Sequence, residues 1–298
     1  MKIAVIDIGT NSTRILIADY RQGNIYHLYN DLQTTRIGEG IGNSCIIKPR
    51  ALERTIDCLK KYIDKCNEFN VNRIRIVATS AVRDAENKDL VKKEVFLNTG
   101  VNLEILTGEK EAKLSYLGAI SDFFGDKKKY VVLDIGGGST ELIYYSSQGI
   151  QYKSVNLGAV RLSENILLKQ EVSNILMGLV EGLLPNDFIL VGVGGTVTTL
   201  AAIKLELDEY DPDLVHGQEL DIKEINEINN WLQSLSLNER KKVKGLQPER
   251  ADIILFGIFI LQKVMEKLGV TKIKVSEKDI LYGMIITTED GDANFNKY

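Results

Sequence analysis

The chain has 298 residues, 44% of them hydrophobic and 26% charged, which is typical of a soluble globular protein with room for two domains. Its net charge of −4 and pI near 5.5 argue against a general nucleic-acid-binding protein, which would present a basic surface. A polyanionic ligand would have to be met by local basic residues.

The cysteines and the apolar runs limit the class of protein further. Cys45, Cys58 and Cys66 are odd in number and lack Cys-x-x-Cys spacing, so we expect neither a disulfide framework nor a structural metal cluster. The start of the chain shows no leader pattern. The longest apolar run, residues 253–261, is shorter than the roughly 20 residues of a membrane span. We therefore predict a buried helix there, no membrane association and a cytoplasmic location.

Strand and helix patterns alternate in the first half. Strands are predicted at residues 3–6, 14–18, 25–29, 74–78 and 103–106, and helices at 50–69, 84–98 and 109–123. This alternation predicts an α/β architecture.

A polar, charged break at residues 125–129 precedes a second set of strands, predicted at 131–133, 141–145, 150–155, 189–193 and 273–275. The first three repeat the opening meander, which indicates an internal duplication. We predict one domain over residues 1–124, with 284–298 as a candidate completion of it, and a second over 125–283.

Two similar turns follow the first strand of each half. Residues 7–13 are Asp-Ile-Gly-Thr-Asn-Ser-Thr, and residues 134–140, 127 positions later, are Asp-Ile-Gly-Gly-Gly-Ser-Thr. Glycine lets backbone N–H groups approach an anion, hydroxyl and amide groups add donors, and the acid can hold a cation or a water. The pair predicts a duplicated fold that binds phosphate from two sides. Glu141, on the returning strand, could reach the same place, although an exposed strand position would explain it equally well.

A third glycine turn, residues 194–196, follows a strand and opens a helix, where backbone N–H groups favour an anion. Neither a Walker A nor a dinucleotide-binding glycine pattern is present, which excludes P-loop NTPases and Rossmann proteins.

Four arginines are candidate phosphate contacts. Arg83 is predicted in the first turn of a helix, where a bound phosphate would offset its unfavourable interaction with the helix dipole. Arg14, Arg36 and Arg161 follow similar turns and are weaker candidates.

Glu111 is also predicted in a first helical turn, where an acid stabilises the helix without any catalytic role. The two histidines, His27 and His216, form no Ser-His-Asp pattern, so nucleophilic catalysis has little support.

The whole pattern resembles the exopolyphosphatase and guanosine pentaphosphate phosphohydrolase (Ppx/GppA) family, within the actin-like, acetate and sugar kinase and Hsp70 superfamily. The resemblance covers nearly the whole chain and rests on residues 7–12, 36–40, 78–87, 108–112, 134–141, 158–162, 194–196 and 248–252. It implies an α/β fold of two ribonuclease H-like (actin-like) domains with an interdomain cleft, and a homodimer.

The resemblance also implies roles for residues. Glu111, the acid before Ala112, would be the general base on the water that attacks a terminal phosphate. Asp7, Asp134 and Glu141 would position a divalent metal, Mg²⁺ or another, and the water, with Asp134 and Glu141 counted as catalytic. The implied phosphate-binding residues are Thr10, Asn11, Ser12, Thr13, Arg83, Gly136, Gly137, Gly138, Ser139, Gly194, Gly195 and Thr196.

The sequence departs from the family pattern at two places. Lys110 precedes Glu111 where the family often has a second acid, which puts a cation beside the implied base. Residues 275–283 lack the usual Arg-Glu pair, which weakens the transfer of any family role to Leu281 or Tyr282. The chain resembles the short form of the family, without a C-terminal helical domain.

The leading hypothesis is therefore a metal-dependent exopolyphosphatase that prefers short polyphosphate and releases orthophosphate. Hydrolysis of guanosine pentaphosphate (pppGpp) is the alternative within the same class. A kinase of the same superfamily and a non-catalytic binder of polyphosphate or pppGpp are the further alternatives. No nucleic-acid partner is expected.

Overall fold

The computed structural model describes residues 1–22, 24–41, 45–123, 126, 129–164, 169–181 and 187–287. The chain divides into two compact units: Met1–Leu114 together with the chain from Ile280 onward, and Ser115–Asp279. The predicted boundary between residues 124 and 125, and residues 288–298 of the predicted completing segment, lie outside the described residues.

The described strands and helices alternate through most of the chain. The strands are β1 (Lys2–Ile8), β2 (Thr13–Arg21), β3 (Asn24–Gln33), β4 (Arg73–Ala78), β5 (Leu103–Ile105), β6 (Tyr130–Ile135), β7 (Thr140–Ser146), β8 (Gly149–Val155), β9 (Ile189–Val193), β10 (Glu219–Asp221) and β11 (Lys272–Val275). The helices are α1 (Pro49–Glu68), α2 (Ser80–Arg83), α3 (Lys88–Thr99), α4 (Gly108–Ala119), α5 (Ala159–Glu164), α6 (Lys169–Val180), α7 (Gly195–Lys204), α8 (Pro212–Val215), α9 (Ile222–Ser234), α10 (Leu237–Arg240), α11 (Ile254–Leu268) and α12 (Ile280–Ile286).

Each unit is built on one mixed sheet. The strand order is β3-β2-β1-β4-β5 in the first unit and β10-β11-β9-β6-β7-β8 in the second. In the first sheet, β1, β2 and β3 form an antiparallel meander, and β4 and β5 run parallel to β1. In the second sheet, β6, β7 and β8 form the same meander, and β9 and β11 run parallel to β6. The shared order and directions agree with the predicted duplication, with β10 as an addition to the second sheet.

The first sheet is covered on both faces, which explains the continuous apolar run of β1. Successive residues of β1 alternate between two apolar clusters. Ile6 packs in a cluster with Leu59 of α1, and Val5 packs in another with Met284 of α12. These side chains hold β1, and therefore the turn that follows it, in the centre of the unit.

The second unit has a large core around β6. Leu133 of β6, Leu200 of α7 and Ile258 of α11 are completely buried in it. The apolar run at residues 253–261 forms most of α11, as predicted. Of the helices that the structure describes, none combines the length and apolarity needed to cross a membrane.

Two helix predictions were wrong in detail. The predicted helix at residues 84–98 is α3, which begins four residues later, at Lys88, after the separate one-turn helix α2, and the helix predicted to reach residue 123 ends at Ala119. The hydrogen bonds that form α2 come from Arg83 and Asp84 N–H to the carbonyls of Thr79 and Ser80. The apolar spacing did not predict this separate one-turn helix.

All three cysteines are free thiols, but their reactivities should differ. Cys58 and Cys66 are buried on α1, and burial raises the pKa of each thiol to about 11, whereas Cys45 is exposed. Because the thiolate is the nucleophile, we expect a disulfide reagent at pH 8 to label one thiol in the folded protein and three in denaturant. Cys45→Ser should remove the labelling of the folded protein. Rapid labelling of this variant would contradict the packing of α1.

Candidate functional site

The turn after β1 presents backbone N–H groups in one direction. The carbonyls of Thr10 and Asn11 accept hydrogen bonds from the N–H groups of Gly38 (3.0 Å) and Arg36 (2.8 Å). Because C=O and N–H point oppositely in a trans peptide, the N–H groups of Asn11 and Ser12 face away from residues 36–38. Within the described part of the chain, neither of these two N–H groups donates a hydrogen bond. They can therefore bind an anion.

The polar side chains of this turn differ in their availability. The hydroxyls of Thr10 and Ser80 are 3.1 Å apart, and those of Thr13 and Thr35 are 2.9 Å apart. Thr13 is completely buried, so its hydroxyl serves the packing of β2. The amide oxygen of Asn11 is buried and has no hydrogen-bond partner among the described residues. Asn11 thus retains an acceptor for a ligand donor or a water, whereas the phosphate contact predicted for Thr13 has less geometric support.

Asp7 at the end of β1 forms an ion pair across the sheet. It is the register partner of Arg14 on β2, and Arg14 Nη2 lies 2.6 Å from Asp7 Oδ2. The guanidinium offsets the carboxylate charge that would attract a divalent metal. The metal role of Asp7 stays a prediction, and the ion pair weakens it.

Arg83 and Glu111 form the most specific charged contact of the first unit. Arg83 Nη1 lies 2.5 Å from Glu111 Oε2 and 3.3 Å from the carbonyl of Leu106, to which it donates. Arg83 lies in the one turn of α2, as predicted, but it is the last residue of that helix, so the argument from the helix dipole does not apply. Glu111 lies in the first turn of α4, as predicted. The guanidinium orients the carboxylate, which is 14% exposed.

Lys110, the cation beside Glu111 in the sequence, pairs with the carboxylate of Glu104. Lys110 Nζ donates to Glu104 Oε1 at 2.7 Å, and Arg75 Nη2 donates to Glu104 Oε2 at 2.8 Å. Burial alone would raise the pKa of Glu104, but these two bonds outweigh it and hold the pKa below its usual range. The Lys110 ammonium, which takes the place of the family's second acid before Glu111, is therefore directed to Glu104.

The second glycine turn shows the same arrangement as the first, with more contacts. Gly136 and Gly137 carbonyls accept from the N–H groups at the start of α5, and Arg161 Nε donates to the Gly138 carbonyl at 2.8 Å. The opposite N–H groups, those of Gly137, Gly138 and Ser139, donate no hydrogen bond to any residue that the structure describes. Three successive N–H groups are thus available for an anion.

Two carboxylates lie side by side at the base of this turn. Asp134 and Glu141 are register partners on β6 and β7, so their side chains share one face of the sheet, with Cβ atoms roughly 5 Å apart. Ser154 Oγ donates to Glu141 Oε1 at 2.7 Å, and Ser115 Oγ lies 3.5 Å from Asp134 Oδ2. Glu141 is buried, so it faces the interior and is not the exposed strand residue that its sequence position also allowed.

The two turns have equivalent backbones and different charges. Each begins with a glycine whose N–H donates to the carbonyl three residues on at 3.0 Å, Gly9 to Ser12 and Gly136 to Ser139. At equivalent strand positions, however, the first unit has Arg14 and the second has Glu141. The first unit therefore pairs its acid with a cation, and the second pairs it with another acid.

The third glycine turn lies beside Asp134. Gly194 has a φ of 84°, a conformation that favours glycine, and a Cβ there would approach Asp134 Oδ1 to 3.1 Å. Gly195 begins α7, as predicted, and the guanidinium of Arg250 lies directly against it. Thr196 packs against Gly257 of α11. Gly194 thus borders Asp134 of the carboxylate pair, Gly195 contacts Arg250, and Thr196 contributes mainly to packing.

The Asp134–Glu141 carboxylate pair suits Mg²⁺, which takes only one or two ligands from the protein, better than a cation that needs all its ligands from protein groups. Among the described residues, no three His, Cys, Asp or Glu side chains cluster in a way that could hold a metal. Mg²⁺ is usually bound by one or two carboxylates, with waters and substrate phosphates as the remaining ligands. Asp134 and Glu141 would provide those two carboxylates.

Two contributors to these sites were not predicted from the sequence, and a third was predicted in a different role. Ser115 and Ser154 contact the acids across the fold and carry no local signal. Arg161 was a weak candidate as a phosphate contact, whereas the structure shows its Nε on the Gly138 carbonyl. Its sequence signals were its position after a turn and the match of residues 158–162 to the family pattern.

In the described residues, each α/β unit has a turn of unbonded N–H groups after its central strand, and the second unit adds a carboxylate pair, an arrangement suited to binding phosphate. The chain belongs to the Ppx/GppA phosphatase family, whose sequence profile matches residues 16–290. The resemblance and the fold class of two ribonuclease H-like units are confirmed.

The relatives differ in length and in named activity. Exopolyphosphatase 2 of Mycobacterium tuberculosis is 31% identical over 96% of this chain and 98% of its own length. The bifunctional 3-dehydroquinate synthase/phosphatase of Fusobacterium nucleatum is 37% identical over 95% of this chain, which spans only 46% of that protein. A guanosine-5'-triphosphate,3'-diphosphate pyrophosphatase of Aliivibrio fischeri is 26% identical, and the chain spans 59% of its length.

Solved structures of similar proteins match over nearly the full chain. An exopolyphosphatase from Cytophaga hutchinsonii superposes with a TM-score of 0.87 at 25% identity, covering 98% of both chains. The Aquifex aeolicus member of the Ppx/GppA family gives a TM-score of 0.78 at 29% identity, covering 96% of this chain and 97% of its own.

Proposed function

We propose that this chain is an exopolyphosphatase, which hydrolyses the terminal phosphoanhydride bond of inorganic polyphosphate and releases orthophosphate. The observation that carries the proposal is the Glu111 carboxylate oriented by Arg83, in a protein whose two turns present unbonded N–H groups. An oriented carboxylate can take a proton from water, and the turns can bind phosphate oxygens. Phosphoanhydride hydrolysis uses both of these functions.

In the proposed reaction, the oxygen of a water attacks the terminal phosphorus while Glu111 accepts a proton from that water. The bond between the terminal phosphorus and the bridging oxygen breaks, and the bridging oxygen leaves with the shortened chain. Arg83 keeps the Glu111 carboxylate directed, with its Nη1 2.5 Å from Oε2. The products are orthophosphate and a polyphosphate that is one unit shorter.

The N–H groups of the turns have an electrostatic role in this proposal. Those of Asn11 and Ser12 in the first unit, and of Gly137, Gly138 and Ser139 in the second, would hydrogen-bond phosphate oxygens as charge builds up on them. Such preorganised donors often supply the largest part of the rate enhancement. Mg²⁺ bound at Asp134 and Glu141 would neutralise charge on the phosphate oxygens and hold them in place.

Polyphosphate is proposed ahead of pppGpp because the chain covers 98% of the mycobacterial Exopolyphosphatase 2, against 59% of the Aliivibrio pyrophosphatase. Hydrolysis of pppGpp is the alternative, since the same groups would act on its terminal phosphate. The preference for short chains, the homodimer and the cytoplasmic location stay predictions.

Side-by-side phosphate release tests the substrate. Purified protein is assayed on short polyphosphate, long polyphosphate and pppGpp, with magnesium and with a chelator. We expect the highest kcat/KM on short polyphosphate and loss of activity with the chelator. Faster turnover of pppGpp would favour the alternative, and faster turnover of long polymer would contradict the chain-length preference. Tight binding without turnover of any substrate would identify a non-catalytic binder, and ATP-dependent labelling of a small acceptor would identify a kinase.

A further inference from the structure

The glycine turn of the second unit is held from behind by one short segment. Gly136 O accepts from Ala159 N–H at 3.0 Å, and Gly137 O accepts from Val160 and Arg161 N–H at 2.9 and 3.0 Å. The backbone of the two segments is in close contact, since a Cβ on Gly158 would lie 2.5 Å from the Gly137 carbonyl. These bonds fix the first two peptide planes of the turn.

The third peptide plane depends on a side chain. Gly138 O accepts from Arg161 Nε at 2.8 Å, the one side-chain bond to this carbonyl within the described residues. Because C=O and N–H are opposed in a trans peptide, this bond directs the Ser139 N–H away from α5. Glycine adopts many backbone conformations with little cost, so without a partner the Gly138–Ser139 peptide could rotate.

The first unit holds its equivalent peptide by different means. Asn11 O, at the position matching Gly138, accepts from the backbone N–H of Arg36 at 2.8 Å. A backbone donor there is present whatever the side chain. In the second unit, the same orientation depends on residue 161, and this is the unit with three successive glycines and the carboxylate pair.

We propose that Arg161 is a positioning residue that sets the direction of the Ser139 N–H through the Gly138 carbonyl. The effect of Arg161 on catalysis rests on the proposed function, because Arg161 would act on the substrate only through the Gly138–Ser139 peptide. The group that matters is Nε, and a neutral N–H at that point should serve as well as a charged one.

Two nearly isosteric substitutions separate this role from a charged phosphate contact. In Arg161→Gln the amide nitrogen occupies the position of Nε and can still donate to Gly138 O, whereas Arg161→Met places a methyl group there. Both remove the positive charge. We expect Arg161→Gln to retain kcat/KM for polyphosphate within about 5-fold and Arg161→Met to lose about 10²-fold, since small misplacements of catalytic groups have effects of that size. Arg73→Met, which removes an exposed arginine of β4, should change nothing.

Equal losses in the Gln and Met variants would overturn the proposal and indicate a charged contact. Equal retention of activity would also overturn it. Melting temperatures identify any variant that fails to fold.

A measurement without substrate separates this inference from the proposed function. The ¹H–¹⁵N heteronuclear NOE of the Gly138 and Ser139 amides should be high in the wild type and Arg161→Gln, and lower in Arg161→Met. If the wild type releases no phosphate but this difference is seen, the proposed function fails and the positioning role stands. If all three proteins have equally rigid amides, the positioning role is wrong whatever the activity.

Discussion

Glu111→Gln is expected to lower kcat for phosphate release from polyphosphate by about 10³-fold, within the range that general base catalysis contributes. A carboxamide of the same shape cannot accept the proton of the attacking water. It can still accept a hydrogen bond from Arg83, which now contacts the carboxylate at 2.5 Å. Binding of polyphosphate, measured by calorimetry, should therefore change much less than kcat.

The matched control for this variant is Glu109→Gln on the same helix. Glu109 lies in the same first turn of α4, but its side chain is 63% exposed and pairs with Lys113. The Glu109→Gln substitution should leave kcat and KM unchanged. Unchanged phosphate release in a correctly folded Glu111→Gln protein would show that Glu111 is not the base.

Glu141→Gln is expected to lower kcat/KM by about 10²-fold or more and to raise the magnesium concentration needed for half-maximal activity. The substitution removes one of two carboxylates that share a face of the sheet, while Ser154 can still donate to the amide oxygen. A single carboxylate attracts a divalent cation less strongly. A calorimetric titration of the substrate-free protein with Mn²⁺ checks the metal affinity without turnover.

Glu219→Gln provides the surface comparison for Glu141. Glu219 belongs to the same unit, and its exposed carboxylate pairs with Lys272. If the Glu141 and Glu219 variants have the same magnesium dependence as the wild type, the metal does not bind at the carboxylate pair.

Local sequence predicted the parts of the site that depend on backbone conformation. The glycines and hydroxyl residues at 7–13 and 134–140 require turns after buried strands, and the structure places both turns there. The N–H groups available at Asn11, Ser12 and Gly137 follow from that local geometry together with donors that hold the carbonyls.

Contacts between distant residues could not be predicted from pattern. The Arg83–Glu111 pair joins residues on two helices, and its geometry depends on α2 ending at Arg83. The sequence pattern placed this residue at a helix start, because apolar spacing does not locate the first hydrogen bond of a four-residue helix.

Strand register decided the charges beside each turn. Asp7 faces Arg14 and Asp134 faces Glu141 because both hairpins have the same loop length. The sequence repeat indicated equivalent turns. The residue facing the acid differs, however: Arg14 gives an ion pair beside the first turn, and Glu141 gives a carboxylate pair beside the second.

Hydrolysis of polyphosphate in ¹⁸O-labelled water tests the central proposal most directly. Attack of water on the terminal phosphorus predicts one solvent-derived ¹⁸O in each orthophosphate released and none in the shortened chain. Label at the new end of the chain instead would mean that water attacks the next phosphorus. Orthophosphate without label, or fragments longer than one unit, would contradict terminal hydrolysis by an activated water.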